Sequence, residues 1–219
     1  MARKVIIIGG IGNGSVIAEA IEEAYGVDSQ EVQLAGYLND REPVGSNIER
    51  FPVLGKLEDI NQFLNDPSYY FINTILRIEG NDERVEMFSK LDIPDERMFT
   101  FIHPSVYYPT SFEIGHGSVV MPHCSISSGV KIKNNSLIMV SCTLGHNSTI
   151  HNFCHIAAAS CIGSNVNLYD RSHVGLNSTI KEQCSIGENS TLGMGSVLTK
   201  SIPANEIWLG VPAKHFKSL

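Results

Sequence analysis

Two histidines near the middle of the chain have the residue type and surroundings that proton transfer needs. His146 lies between Gly145 and Asn147, and His155 follows nine positions later. An imidazole with the ordinary histidine pKa of about 6.5 can accept a proton at neutral pH, which suits general-base chemistry. Histidines at such positions are also commonly surface or structural residues. The elements that carry the two side chains therefore decide between these interpretations.

The eight histidines also permit a metal-binding interpretation. His146 and His151 are five residues apart, a spacing that resembles the zinc-binding histidines of hexapeptide-repeat carbonic anhydrases. In those enzymes the third zinc ligand would be thirty-six residues before His146, and this chain has Thr110 at that position. No other nearby residue is a suitable third ligand. His155 and His173 are eighteen residues apart and could flank one groove. Because catalytic zinc usually has three protein ligands, we expect no metal.

A six-residue repeat determines the architecture of the second half. From Ile114 to Leu198 every sixth residue is aliphatic, fifteen times in register. Neither the 3.6-residue period of a helix nor the two-residue period of a strand explains this step. Hexapeptide repeats of this kind are typical of a parallel β-helix, in which three hexads form one triangular turn. We therefore predict about five turns, stacked at the usual interstrand spacing of about 4.8 Å.

Two other positions of the hexad support the same fold. The fourth residue after each aliphatic one is small, and four of the five cysteines occupy this position, as free thiols in our interpretation. The third residue after each aliphatic one is Gly or Asn in eight of fourteen hexads. These residue types tolerate positive φ, so we expect them at tight corners, at Gly117, Gly129, Asn135, Asn147, Asn165, Asn177, Asn189 and Gly195.

The first hundred residues lack the repeat and alternate between strand and helix patterns. Strands are predicted at Val5–Ile8, Val32–Leu38 and Tyr69–Ile75. Three helices are predicted: one directly after the first glycine loop, one that ends at Leu64, and one over about Asp82–Leu91. This alternation predicts a small Rossmann-like parallel sheet with flanking helices. We place this α/β domain at residues 1–103 and the β-helix domain, with its C-terminal tail, at residues 104–219.

A glycine loop follows the first strand and lies where a phosphate-binding loop would lie. It lacks the dinucleotide fingerprint, because Ser15 stands where GxGxxG, begun at Gly10, needs its last glycine. Binding of a whole NAD is therefore not expected. The loop serves either a smaller ligand or packing alone. Asp40, after the second strand, is either a ribose or base ligand or a solvated turn residue.

Composition excludes several classes of function. The net charge is −7 and no run of Lys or Arg occurs, so nucleic acid is not an expected partner. No apolar stretch approaches the roughly 20 residues of a membrane span, and the apolar run near the start is too short for a signal peptide. We expect a cytoplasmic protein.

The whole layout resembles a known family. A glycine-rich α/β domain, the junction Phe101–Ser105, the hexads and the closing segment Gly210–Lys214 resemble the bacterial left-handed β-helix sugar acyltransferases. That group includes UDP-4-amino-sugar N-acetyltransferases and sialic acid O-acetyltransferases of surface-glycan biosynthesis. The resemblance implies a left-handed coil, a homotrimer with sites between protomers, acetyl-CoA as donor, and a sugar-nucleotide acceptor bound by the first domain.

The resemblance also implies roles for particular residues. His146 falls at the position of the general base, followed by Asn147, and His155 at the position that contacts the thioester. The predicted coenzyme-binding residues are, with His155, Gly163, Gly175, Leu176 and Met194. The predicted acceptor-binding residues are Gly10, Ile11, Gly12, Asn13, Asn39 and Asp40.

Two departures from the family bear on the substrate. Asn147 replaces the usual Glu or Asp, and Asn13 replaces the histidine usual in the glycine loop. An amide can orient His146 but does not stabilise its charged form as a carboxylate does. An amine acceptor makes a smaller demand on the base than a hydroxyl, so we favour N-acetylation of a nucleotide-linked amino sugar. The alternatives are O-acetylation of sialic acid or a related sugar, a metal-dependent lyase, and a non-catalytic sugar-nucleotide binder.

Overall fold

The computed structural model describes residues 2–76, 78 and 81–219. The α/β region contains one five-stranded sheet in the order β3-β4-β2-β1-β5, parallel except for the β3–β4 pair. The strands are β1 (Arg3–Ile8), β2 (Val32–Leu38), β3 (Asn47–Ile48), β4 (Phe51–Gly55) and β5 (Tyr69–Asn73). The α-helices are α1 (Asn13–Tyr25), α2 (Ile60–Leu64) and α3 (Asn81–Ser89), and 3₁₀ turns cover Leu57–Asp59 and Asp95–Arg97.

The predicted elements are confirmed, with two shorter ends. β5 ends at Asn73 rather than at residue 75, because the Asn73 Oδ1 accepts the Ile75 N–H at 3.0 Å and turns the chain. α3 ends at Ser89 rather than at Leu91. The predicted parallel sheet is also present, and it contains two strands that were not predicted, β3 and β4.

The second half is a coil of fifteen two-residue strands, β7–β21, that begin every six residues from Glu113 and end at Leu198. Each strand pairs in parallel with the strand eighteen residues away. Three faces result. Face 1 contains β8, β11, β14, β17 and β20; face 2 contains β9, β12, β15, β18 and β21; face 3 contains β7, β10, β13, β16 and β19.

The repeated aliphatic residues form the core of this coil, as predicted. From Val120 to Leu198 each of them is at most 1% exposed. The small residues of the hexads are buried between them, including Cys124, Cys142 and Cys154. A prism that holds one large residue per face has space only for small residues at its other inward positions.

Every corner of the coil has a residue at positive φ. The eight predicted Gly and Asn residues have φ between 54° and 69°. The same position has φ between 56° and 63° in the six other hexads, at His123, Ser141, Phe153, Ala159, Arg171 and Gln183. The stacked turns therefore impose this conformation on residue types that disfavour it.

The α/β region packs on face 1. Strand β6 (Phe101–Ile102) pairs with β8, and the outward side chains of face 1, including Val119 and Leu137, join the apolar core beneath β1 and α1. Helix α3 lies on the corner between faces 3 and 1. There Asp82 forms an ion pair with Arg171, and the Phe88 and Phe153 rings lie 5.9 Å apart.

A hairpin of β22 (Glu206–Gly210) and β23 (Ala213–Ser218) closes the end of the coil. β22 pairs with β20, and Trp208 packs partly buried against the coil core. Among the helices that the structure describes, none has the length and apolar character needed to cross a membrane.

Candidate active site

His155 lies on face 1, at the contact between the coil and the α/β region. Its neighbour one turn further along the coil is His173, because strands β14 and β17 pair in register. The Nδ1 atoms of the two rings are 3.0 Å apart, and their ring centroids are 4.9 Å apart. Two imidazoles thus share one hydrogen bond.

The burial of His173 and the partial burial of His155 make both rings poor bases. Desolvation lowers the pKa of His155 from 6.5 to about 4. Desolvation, followed by the charge of His155, lowers the pKa of His173 to about 3. Both rings are therefore neutral at pH 7, which leaves His155 suited to hydrogen bonding rather than to proton abstraction.

The His155 ring borders a cavity of about 780 Å³ between face 1 and the α/β region, which we call cleft B. Its lining is predominantly apolar and, in the described residues, contains no Asp, Glu, Lys or Arg. The lining residues are Asn13, Leu76, Ile78, Met139, His155, Ala157, Ala158, His173, Gly175, Leu176, Thr191, Gly193, Met194, Ile207, Leu209 and Phe216.

A second cavity of about 570 Å³ lies at the carboxyl ends of β1, β2 and β5 and is called cleft A. The glycine loop forms one wall and Arg84 and Met87 of α3 form another. Parallel sheets commonly bind ligands at this edge, where helix N-termini and loops meet. Arg84 has no ion-pair partner in the described part of the chain.

The two clefts adjoin each other. Leu76 contributes to the lining of both. Asn13, the first residue of α1, lies with its amide nitrogen 3.4 Å from the Nε2 of His155. A ligand that extends from cleft A along the glycine loop therefore reaches His155.

His146 lies elsewhere, on the corner between faces 2 and 3. Its side chain is exposed, and its Nδ1 is 3.1 Å from the amide nitrogen of Asn147. Gly163 is on the same corner, one turn further, and packs against Gly145. In a triangular cross-section this corner is opposite face 1, so one chain does not bring His146 and His155 together.

The predicted site residues thus form three groups. Gly10, Ile11, Asn39 and Asp40 line cleft A; Asn13, His155, Gly175, Leu176 and Met194 line cleft B; His146, Asn147 and Gly163 share the distant corner. Gly12 precedes α1 as its N-cap at φ 103°. Asn13 was expected with the nucleotide but faces cleft B, because α1 turns its first residue towards the coil.

Two of the cleft A residues also have structural hydrogen bonds. Asn39 donates to the Gly9 carbonyl at 2.8 Å and accepts from the backbone N–H groups of Arg41 and Glu42. Asp40 accepts the Leu57 N–H at 2.9 Å. Their side chains therefore shape the rim of cleft A whether or not they touch a ligand.

From the sequence, His173 was expected beside His155 at one groove but without a role in the reaction, and neither Leu76 nor Arg84 was expected in a site. The eighteen-residue spacing pairs His173 with His155, but the spacing alone does not show that the α/β region covers both rings. Leu76 and Arg84 have no distinctive sequence signal. Within residues 2–76, 78 and 81–219, no three His, Cys, Asp or Glu side chains are grouped to hold a metal ion.

Comparison with known proteins finds similarity in structure rather than in sequence. No family model and no curated protein matches the chain. The acetyltransferase domain of PglB from Neisseria gonorrhoeae has 27% identity and a TM-score of 0.83, covering 98% of this chain and 100% of that one. The same domain in complex with acetyl coenzyme A has 26% identity and a TM-score of 0.82, covering 99% and 100%.

A third similar structure is PerB from Caulobacter crescentus, in complex with CoA and GDP-perosamine. It has 23% identity and a TM-score of 0.82, covering 98% of this chain and 97% of that one. At 23% identity, the structural similarity is evidence for a shared fold and for nothing further. Over nearly their whole length, these proteins share both the α/β region and the coil. In fold and in domain order the chain is therefore similar to these hexapeptide-repeat left-handed β-helix sugar acetyltransferases.

Proposed function

We propose that this chain is an acetyl-CoA-dependent acetyltransferase that acetylates the amino group of a nucleotide-linked amino sugar. The observation that carries the proposal is the adjacency of cleft A and cleft B, with His155 at their junction. A two-substrate transfer needs two neighbouring binding sites that hold both reactants together. Because both proposed substrates are cytoplasmic metabolites, we also propose a cytoplasmic location.

Cleft B fits the acyl donor. The 26% identical PglB domain is in complex with acetyl coenzyme A. The cleft combines apolar walls with a few polar atoms, as sites for small molecules usually do. We propose that Leu176 and Met194, both more than half exposed in the single chain, contact the pantetheine arm.

Cleft A fits a nucleotide. Backbone N–H groups at the start of α1 favour phosphate, and Arg84, which has no ion pair with any described residue, supplies positive charge on the other wall. We propose that Gly10, Ile11 and Gly12 approach the phosphates and that the rim at Asn39 and Asp40 contacts the nucleoside. The sugar then points along the glycine loop towards Asn13 and cleft B.

The chain's residues divide the chemistry between them. Bound acetyl-CoA supplies the thioester, whose carbonyl oxygen gains negative charge during transfer. The His155 N–H donates a hydrogen bond to that oxygen, which stabilises the charge in an apolar cleft. His146 accepts the proton of the attacking amine as the C–N bond forms and passes it to the coenzyme sulfur, which leaves as the free thiol when the C–S bond breaks; Asn147 orients the imidazole. Transfer is direct, since no nucleophile–base pair indicates an acyl-enzyme.

The separation of His146 from His155 supports a site between copies of the chain. Face 2 is bounded by the His146 corner on one side and by the corner carrying Gly175 and Met194 on the other. In a threefold ring with face 2 towards the axis, these two corners of adjacent protomers meet. We therefore propose a homotrimer in which His146 of one copy reaches cleft B of the next.

The test is subunit complementation. Replacing His146→Ala should lower acetyl transfer by about 10²–10⁴, the effect of losing a general base, without loss of coenzyme binding. A His155→Leu variant should also be impaired. When the two variants are unfolded, mixed equally and refolded, about one quarter of the sites in random trimers contain both intact histidines. Transfer should then recover to about that fraction, whereas sites within single chains would give no recovery.

The acceptor is tested with a panel: a UDP-linked 4-amino sugar, GDP-perosamine and free sialic acid, each with acetyl-CoA, while free coenzyme thiol is followed. We expect turnover with an amino acceptor. Turnover with sialic acid alone would favour O-acetylation instead. Failure of every acceptor together with intact sugar-nucleotide binding would favour the non-catalytic binder.

A further inference from the structure

The His155 ring has a polar neighbour at each of its two nitrogens. Nδ1 is 3.0 Å from the Nδ1 of His173, and Nε2 is 3.4 Å from the side-chain amide of Asn13. The three residues come from α1, β14 and β17, so the chain of contacts crosses from the glycine loop to the coil. Among the other described residues that line cleft B, Thr191 is polar and the rest are apolar or glycine.

Only one proton can lie between the two Nδ1 atoms. Desolvation keeps the pKa of both histidines far below 7, so each neutral ring carries a single N–H. If that shared proton belongs to His173, the proton of His155 is on Nε2 and faces Asn13 and the cleft. If it belongs to His155, Nε2 is an acceptor and has no hydrogen to donate.

We infer that His173 is a positioning residue that donates its Nδ1–H to the Nδ1 of His155 and thereby fixes His155 as an Nε2–H donor. This inference rests on the proposed function, in which His155 must donate to the acyl oxygen. The second nitrogen of a functional imidazole is commonly oriented in this way by a neighbouring group.

Asn13 completes the arrangement. Its amide can rotate so that Oδ1 accepts the His155 Nε2–H, and the assignment of the two amide atoms follows from the hydrogen-bond network. The contact of 3.4 Å is long for a hydrogen bond. A carbonyl oxygen entering cleft B displaces it at small cost, so the amide of Asn13 marks where the acyl oxygen binds.

The first test is spectroscopic and independent of activity. The full-length protein with ¹⁵N-labelled histidine is studied at pH 7.5 by long-range ¹H–¹⁵N correlation, with assignments from single His155 and His173 variants. We expect His155 to carry its proton on Nε2 and His173 on Nδ1. In His173→Leu the fixed tautomer of His155 should be lost, and in His173→Asn, whose amide N–H replaces the Nδ1–H, it should be retained.

Two results would overturn the inference: a His155 proton on Nδ1 in the wild type, or an unchanged tautomer in His173→Leu. Either result leaves the proposed function standing if the histidine-complementation experiment succeeds. Conversely, absence of acetyl transfer would remove the proposed function without changing the tautomer measured.

The second test separates positioning from folding by kinetics. With acetyl-CoA and the amino acceptor that supports turnover, His173→Leu should lower kcat by about 10–100-fold with little change in either KM. His173→Asn should recover most of the rate. The matched control is His151→Asn, which removes another coil histidine, stacked on Tyr169 outside both clefts, and should retain wild-type kcat. A rise in KM with an unchanged kcat would contradict the positioning role. So would a fall in kcat in His173→Asn as large as that in His173→Leu.

Discussion

His146 and His155 have the same side chain, but their surroundings suit them to opposite tasks. The exposed His146 can exchange protons with solvent between turnovers. His155 is covered by the α/β region, and desolvation lowers its pKa to about 4. A base must accept a proton near neutral pH, whereas a hydrogen-bond donor must remain neutral and fixed. Burial alone thus distinguishes the two proposed roles.

The residue beside His146 offers a direct test of basicity. Replacing Asn147→Asp puts a carboxylate next to the imidazole, where it stabilises the protonated ring. We expect the acidic limb of the kcat/KM profile to move to higher pH and the rate above that limb to rise. The measurement is acetyl transfer across pH 5–9, with Asn165→Asp on the same corner as the matched control. An unchanged profile would show that acceptor positioning limits the reaction.

The buried pair makes the stability of the chain depend on pH. Between pH 6.5 and about 4 the unfolded chain protonates His155 whereas the folded chain does not. The unfolded state thus binds more protons there, and the free energy of unfolding decreases as the pH falls. Through His155 alone we expect a loss of about 3 kcal/mol over this range.

Urea unfolding at a series of pH values and one protein concentration measures this effect. The only titratable described residues that line cleft B are His155 and His173. The substitution His155→Asn should therefore reduce the slope of the unfolding free energy against pH. His151→Asn should leave it unchanged. An equal slope in wild type and His155→Asn would show that the pair does not cause the pH dependence.

At the scale of elements, the corners of the coil carry a conformational cost. Ser141 is held at φ 60°, a region that costs an L-residue roughly 1–2 kcal/mol, because the turns above and below fix its backbone. Its backbone N–H donates to the Pro122 carbonyl at 3.0 Å, a bond that does not involve the side chain.

Replacing Ser141→Gly should therefore raise the free energy of unfolding by about 0.5–1 kcal/mol, since glycine adopts positive φ without strain. Chemical denaturation gives the change. Ser127, in another corner but outside the positive-φ position, is the matched control: Ser127→Gly should lower stability by about 0.5–1 kcal/mol. Destabilisation by both substitutions would refute the argument.

At the scale of the whole molecule, the three faces differ in what they present. The α/β region covers face 1, and face 3 carries an ion pair between Lys131 and Glu113. The outward side chains of face 2 are small and uncharged, at Ser125, Thr143, Cys161, Thr179 and Val197. Uncharged flat surfaces suit the interior of an assembly, where unpaired charges are costly.

Replacing Thr143→Lys would put three ammonium groups near the axis of the proposed trimer. We expect dissociation, or a marked loss of assembly at micromolar concentration, together with loss of acetyl transfer. Analytical ultracentrifugation measures the mass. The control Asn167→Lys adds the same charge to exposed face 3 and should leave the assembly intact. An unaffected mass in Thr143→Lys would exclude face 2 from the interface.

The sequence alone predicts the coil, its fifteen strands and eight of the fourteen corners at positive φ, because a six-residue period is typical of a parallel β-helix and Gly or Asn marks those eight corners. It also determined the order of the α/β elements, since their hydrophobic patterns are local. The position of His155 relative to His173 follows from the same period. The residues that surround these two rings do not follow from the repeat.

Three relations exist only in the folded chain: the α/β region covers face 1, cleft A and cleft B share Leu76, and His146 is on the corner opposite His155. These relations depend on packing between residues distant in the chain, such as Phe88 against Phe153, to which no short-range pattern corresponds. Desolvation, the main cause of the lowered pKa of His155 and His173, likewise depends on which distant residues pack around the two rings.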